Sequence, residues 1–276
     1  MPPMTDSRPR AQDLGMRIGS GTPGPVNAIT DVAGGLVGHV SLIEGDGELR
    51  VGQGPVRTGV TAVLPHGGNL FAQRVRAASF VLNGFGKSVG LPQLQELGCI
   101  ETPILLTGTL NVWRVADALV DYKAGRNPGV YSFNPIVCEC NDSGLNDGLG
   151  RHVTAAHVME AIASATDGPV AEGNVGAGVG MSGFGWKAGI GTASRVVDLD
   201  GEGFTVGALV LTNTGEPSEL RIGGVQVGLE LRPDADAKPA ARSAGFPARE
   251  PSPDDAAAST DDGSIIILVA TDAALS

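Results

Sequence analysis

The sequence predicts a mixed α/β (α+β) fold built from layered sheets. Short β-branched or apolar runs at residues 60–64, 78–82, 104–107, 136–140, 204–212 and 264–271 read as strands. Helical patterns lie between some of them. Residues 112–122 form one, and after Arg151 a second places Ala155, Val158, Met159 and Ile162 at i, i+3, i+4 and i+7. Strands and helices mix throughout the chain, which is the pattern of layered sheets carrying helices.

The 276 residues are enough to bury a large core, and 42% hydrophobic with 18% charged residues is the balance of a globular protein. No apolar run approaches the ~20 residues that cross a bilayer, so no membrane partner is expected. The polar N-terminal stretch lacks the apolar region of a secretion signal. Three cysteines, Cys99, Cys138 and Cys140, are an odd number and too few for a disulfide framework, which points to a cytoplasmic protein with reduced thiols. The Cys138-x-Cys140 pair has no His or second Cys pair nearby, so no metal site is expected. A net charge of −11 without a basic run excludes a nucleic-acid partner. The 42 glycines favour tight turns and close backbone approaches.

The composition breaks once. Residues 232–263 contain Pro233, Pro239, Pro247, Pro251 and Pro253, six Asp, and no Val, Ile or Leu. Such a stretch buries too little apolar surface to offset its chain entropy and reads as a flexible tether. The domain plan is therefore a flexible arm over residues 1–24, the main part of one domain over 25–231, the tether, and residues 264–276 as the start of a further segment of the same domain. The tether ends at Gly263-Ser264, directly before the apolar run Ile265-Ile266-Ile267-Leu268-Val269. A polar tether entering a buried strand at a Gly-Ser step suits a cleavage site.

Other chemistry is poorly represented. There is no P-loop and no H-E-x-x-H. Gly178, Gly180 and Gly183 satisfy G-x-G-x-x-G, but with 42 glycines in 276 positions about one such match arises by chance. The histidines, His39, His66, His152 and His157, are scattered; His152 and His157 bracket a helix start, where capping roles are expected. An N-terminal nucleophile needs no histidine. Cleavage before Ser264 would free an α-amino group with a reference pKa of about 7.7 to 8.0, able to act as base for the hydroxyl of the same residue. Gly263, lacking Cβ, permits a strained backbone at the bond to be cut.

Several ordered segments resemble the DmpA-type L-aminopeptidase/D-esterases and β-peptidyl aminopeptidases. They include Asn27-Ala28-Ile29-Thr30-Asp31-Val32, Arg57-Thr58-Gly59-Val60-Thr61, Leu145-Asn146-Asp147 and Gly150-Arg151-His152-Val153. Glu172-Gly173-Asn174-Val175-Gly176, Gly189-Ile190-Gly191-Thr192-Ala193-Ser194-Arg195 and Gly263-Ser264-Ile265-Ile266 complete the set. The resemblance runs from about residue 25 to the last residue, with the tether as an apparent insertion.

The resemblance implies an αββα sandwich of the N-terminal-nucleophile-like and ornithine acetyltransferase type. It implies self-cleavage at Gly263-Ser264 and hydrolysis of N-terminal residues from small peptides, amino-acid amides or esters through an acyl-enzyme on Ser264, without a cofactor. Homo-oligomers of processed chains are implied as well. Ser264 matches the nucleophile, Asn213 an oxyanion donor, and Glu139 the carboxylate that binds the substrate amine. Asn141 stands where many relatives carry a Tyr contributing to the oxyanion site. The family continues well beyond the nucleophile strand with a Ser and a Glu that orient the nucleophile, so a truncated non-catalytic relative is one alternative reading. An acyltransferase of the same fold is another, disfavoured by Ser264 and Glu139 because those enzymes use Thr.

Overall fold

The computed structural model describes residues 9–231 and 263–274. In chain order the first half holds β1 (Leu36–Glu44), β2 (Val56–Leu64), β3 (Val75–Arg76), α1 (Leu91–Leu97), β4 (Cys99–Ile100), β5 (Ile104–Gly108), α2 (Val112–Arg126), β6 (Ile136–Cys140) and α3 (Ala155–Ala163). The second half holds β7 (Ser182–Gly183), β8 (Trp186–Lys187), β9 (Ile190–Leu199), β10 (Glu202–Asn213), α4 (Val227–Glu230) and β11 (Ser264–Thr271).

Two sheets carry the architecture. The first runs β1-β2-β5-β6, antiparallel except for the parallel β5–β6 pair that α2 connects. The second runs β11-β10-β9, antiparallel throughout. Alternation along each strand sorts the side chains into two cores. Leu106, Ile136, Cys138 and Cys140 of the first sheet meet Ile190, Leu209, Leu211, Ile266 and Leu268 of the second between the sheets. Leu105 and Val137, on the opposite face of the first sheet, pack under Val115 and Leu119 of α2 and Val158 and Ile162 of α3.

The order is thus helices, sheet, sheet: three layers of the expected αββα sandwich. No helix among the described residues covers the outer face of the second sheet. There Ile267 is 59% and Val269 66% exposed.

Strands at 136–140 and 264–271 form with the bounds the sequence implies, and 60–64, 104–107 and 204–212 lie inside longer strands. The strand expected at 78–82 does not form. Phe80 and Leu82 are 87% and 81% exposed, and the segment lacks a neighbouring strand to take its backbone hydrogen bonds. β1 and β9 escape the sequence reading, although the Asp200-Gly201 pair joining β9 to β10 is a hairpin signal: both residues have positive φ, 56° and 86°.

Residues 9–24, the described part of the expected arm, form no long element. Arg10 donates to both carboxylate oxygens of Glu172 and to the carbonyls of Val26, Asn27 and Thr192. Thr22 bridges to Val196 on the edge of the second sheet. Residues 232–262, the body of the expected tether, lie outside the described residues.

Candidate active site

β10 and β11 pair so that Asn213, the last residue of one, stands opposite Ser264, the first residue of the other. Counting back by twos from this pair reaches Leu211 with Ile266 and Leu209 with Leu268, which fill the inter-sheet core. The same period therefore turns Asn213 and Ser264 inward at the rim of the sheet, toward the end of β6 that packs against β11.

There Ser264 Oγ receives two N–H donors. Asn213 Nδ2 lies 3.1 Å away and the main-chain N–H of Asn141 3.3 Å away. Beside it the Cys140 S–H is directed at the Leu211 carbonyl 3.7 Å away. The amide of Asn213 cannot be reversed at no cost. Its Oδ1 accepts from Ser182 N at 3.2 Å and its Nδ2 also donates to the Asn141 carbonyl at 3.0 Å, so both ends are matched.

Glu139 precedes Cys140 at the same end of β6. Its carboxylate is buried and accepts from the Lys87 main-chain N–H at 2.8 Å and from the Thr109 hydroxyl. Both donors are neutral, and none of the ion pairs among the described residues involves Glu139. Gly86 makes room for it: a Cβ there would stand 3.3 Å from Glu139 Oε1.

Gly263 is required by the fold for a reason the sequence did not suggest. A Cβ at 263 would lie 2.0 Å from Thr214 Oγ1. Absence of a side chain lets the chain pass Thr214 and reach Ser264.

Cys138 and Cys140, two apart on a strand, point the same way into the core. Burial pushes their thiols up to about 11 and about 12, which keeps them protonated and makes them poor metal ligands. None of the histidines hydrogen-bonds Ser264 among the described residues. His39 contacts Thr61, His66 the Gln73 carbonyl, His152 Asp147, and His157 caps α3 through Thr154. Ser264, Asn213 and Asn141 are thus brought into contact, with Glu139 adjacent but not bonded to Ser264. Asn141 contributes its backbone; its side chain accepts from Ser143 N at 3.0 Å and shapes the turn. Sequence reasoning weighed Cys140 only as half of a C-x-C pair and missed Ser182 and Thr214, neither of which sits in a pattern that marks it.

The sequence matches the description of peptidase family S58 over residues 27–276. This chain belongs to peptidase family S58. It is 47% identical over 272 residues to the β-peptidyl aminopeptidase BapA of Sphingosinicella microcystinivorans, a match covering 96% of this chain and 65% of that protein. With BapA of Sphingosinicella xenopeptidilytica the identity is 45% over 273 residues, covering 97% and 65%. The chain thus spans about 65% of the length of these curated relatives.

Solved structures superpose along the same span. The PH0078 protein of Pyrococcus horikoshii OT3 gives a TM-score of 0.83 at 50% identity, covering 96% of this chain and 69% of that one. A β-aminopeptidase from a Burkholderia species gives 0.81 at 44%, covering 96% and 67%. The L-aminopeptidase D-Ala-esterase/amidase of Ochrobactrum anthropi gives 0.78 at 36%, covering 96% and 68%, and is described as a prototype serine aminopeptidase with a variant of the Ntn hydrolase fold. The S58 chain shares that fold. No helix among its described residues is long and apolar enough to cross a membrane.

Proposed function

We propose that this protein is a self-processing serine aminopeptidase with Ser264 as nucleophile. The observation that carries the reading is the placement of Ser264 Oγ between Asn213 Nδ2 and the Asn141 N–H, at 3.1 and 3.3 Å. Donors that flank the nucleophile are also within reach of the oxygen of a carbonyl bonded to it, where they stabilise negative charge as it develops.

In the first reaction Ser264 Oγ adds to the Gly263 carbonyl carbon, the Gly263–Ser264 C–N bond breaks, and the hydroxyl proton passes to the departing nitrogen. Water then hydrolyses the resulting ester, leaving a Gly263 carboxylate and a free Ser264 amine. That amine serves as base when the same hydroxyl attacks a substrate carbonyl. Glu139, a buried carboxylate with neutral partners only, holds the ammonium of the substrate's N-terminal residue. This restricts hydrolysis to the first residue of small peptides, amides or esters. Because two relatives are named β-peptidyl aminopeptidases, N-terminal β-amino residues belong to the proposed substrate range. Assembly as a homo-oligomer of processed chains in the cytoplasm completes the reading.

The test compares α- and β-aminoacyl p-nitroanilides with their N-acetylated forms. Hydrolysis of the free amines only is expected, and equal rates on both would overturn the aminopeptidase assignment. Glu139→Gln should cost amine-bearing substrates one to two decades in kcat/KM, the equivalent of about 1.5 to 3 kcal/mol for a charge-assisted hydrogen bond. Self-cleavage, which involves no free amine, should persist.

A further inference from the structure

The N–H of Asn141 is a main-chain donor in an exposed turn, and such a donor is only as well placed as the turn that carries it. The next residue, Asp142, runs the other way, into the protein, and is 2% exposed. Its Oδ2 accepts from the Thr58 hydroxyl at 2.6 Å, and its Oδ1 from Asn146 Nδ2 at 3.2 Å. Asn146 is tied to the same strand as Thr58, because its Oδ1 accepts from the Arg57 N–H at 2.9 Å. The Asp142 carbonyl accepts from the N–H groups of Leu145 and Asn146, closing the turn behind it.

Glycines stand on two sides of this residue. A Cβ at Gly108, the end of β5, would lie 2.1 Å from Asp142 Oδ2. A Cβ at Gly180 would lie 2.2 Å from the Arg57 carbonyl oxygen and 2.7 Å from Asp142 Cβ, so the β2 backbone and Asp142 both close on that glycine. No ion pair among the described residues involves Asp142. A buried carboxylate held by neutral donors in a space cleared on two sides is costly to keep, so simple filling of the core does not account for it.

We propose that Asp142 and Thr58 form a positioning pair that anchors the turn at residues 141–146 to β2 and thereby fixes the Asn141 N–H at Ser264. Thr58 touches neither Ser264, Asn213 nor Glu139, and acts through Asp142. Burial drives the Asp142 carboxyl up to about 6, against the pull of its hydrogen bonds from Thr58 and Asn146, which accords with a group retained for its geometry. The consequence for catalysis rests on the aminopeptidase reading; the link between Thr58 and Asn141 does not.

The experiment therefore has two arms. In the first, amide hydrogen exchange is followed at Asn141 in the wild type, Thr58→Val and Thr58→Ser. Valine keeps the shape and removes the donor, while serine keeps the donor. Exchange at Asn141 should quicken about tenfold or more in the valine variant, with protection in β9 and β10 unchanged, and return toward wild type with serine. In the second arm the valine variant should lose about tenfold in kcat with KM for an aminoacyl p-nitroanilide changed less than twofold, because Glu139 is held separately by Lys87 and Thr109. If valine does not fold, Thr58→Cys, with its weaker donor, carries the same comparison.

Wild-type protection at Asn141 in the valine variant overturns the proposal. So does a loss of protection spread evenly over the chain, or a serine variant that behaves like valine. A wild type that neither cleaves itself nor hydrolyses substrate sinks the aminopeptidase reading, and the exchange arm still decides the anchor.

Discussion

Asn213 and Ser264 are register partners across β10 and β11, with Nδ2 and Oγ 3.1 Å apart although 51 residues separate them in sequence. Pairing on a ladder fixes the distance between the two side chains more firmly than a loop would, which is what a charge-stabilising donor requires. Asn213→Ala should lower kcat for aminoacyl p-nitroanilide hydrolysis by about 10² to 10³. Asn213→Asp, which keeps the shape and loses the donor, should do no better. Steady-state kinetics on both variants checks this; an active Asp variant would remove the amide N–H from the mechanism.

Ser264→Ala should abolish self-cleavage and hydrolysis together, because one hydroxyl serves both. Denaturing mass spectrometry should find one chain in the variant where the wild type gives two. Two fragments in both would show that another agent makes the cut.

Gly263→Ala should slow self-cleavage by at least about tenfold, since the added Cβ would meet Thr214 Oγ1 at 2.0 Å and Thr214 Cβ at 2.7 Å and push the bond away from its position. Adding Thr214→Gly, which removes both atoms, should restore part of the rate. A time course of intact mass reads the outcome. Normal cleavage in the single variant would mean that the close packing is not what aligns the bond.

The contributions of His39 and Asp142 to stability should largely cancel between pH 4 and 6.5, because these two buried groups oppose each other there. Burial lowers His39 from 6.5 to about 4, so the unfolded chain takes up the proton first and stability from this group is lost as pH falls. Burial raises Asp142 from 3.8 to about 6, so here the folded chain takes up the proton first and stability is gained as pH falls. Each displacement corresponds to about 3 kcal/mol. Asp142→Asn removes only the second effect. The variant should be at least as stable as wild type at pH 7 and should weaken steeply toward pH 4 in denaturant titrations, whereas parallel curves would refute the opposing pair.

Strand content was legible where the signal is local. β6 and β11 are apolar or β-branched at every position but Glu139 and Ser264, and their bounds follow from the sequence. β1 is interrupted by Gly38, His39 and Ser41, polar or small residues that are accommodated only because Gly176 and α3 pack directly over them. The opposite error at 78–82 has the same origin: an apolar run has strand propensity, but only a partner strand makes it one.

By itself, the sequence determined that a polar, Pro- and Asp-rich stretch gives way at a Gly-Ser step to an apolar strand, and hence that Ser264 begins β11. It also put Glu139 near the end of β6. These are statements about short windows, where period and composition suffice. Tertiary structure alone decided that Asn213 faces Ser264, that the second donor is the main-chain N–H of Asn141, 123 residues away, and that Gly263 is needed to clear Thr214. Main-chain groups are the same in every residue but proline, and close approaches depend on both partners. Their roles are set by which strands pair and in what register, which is fixed only when the two sheets close over a common core.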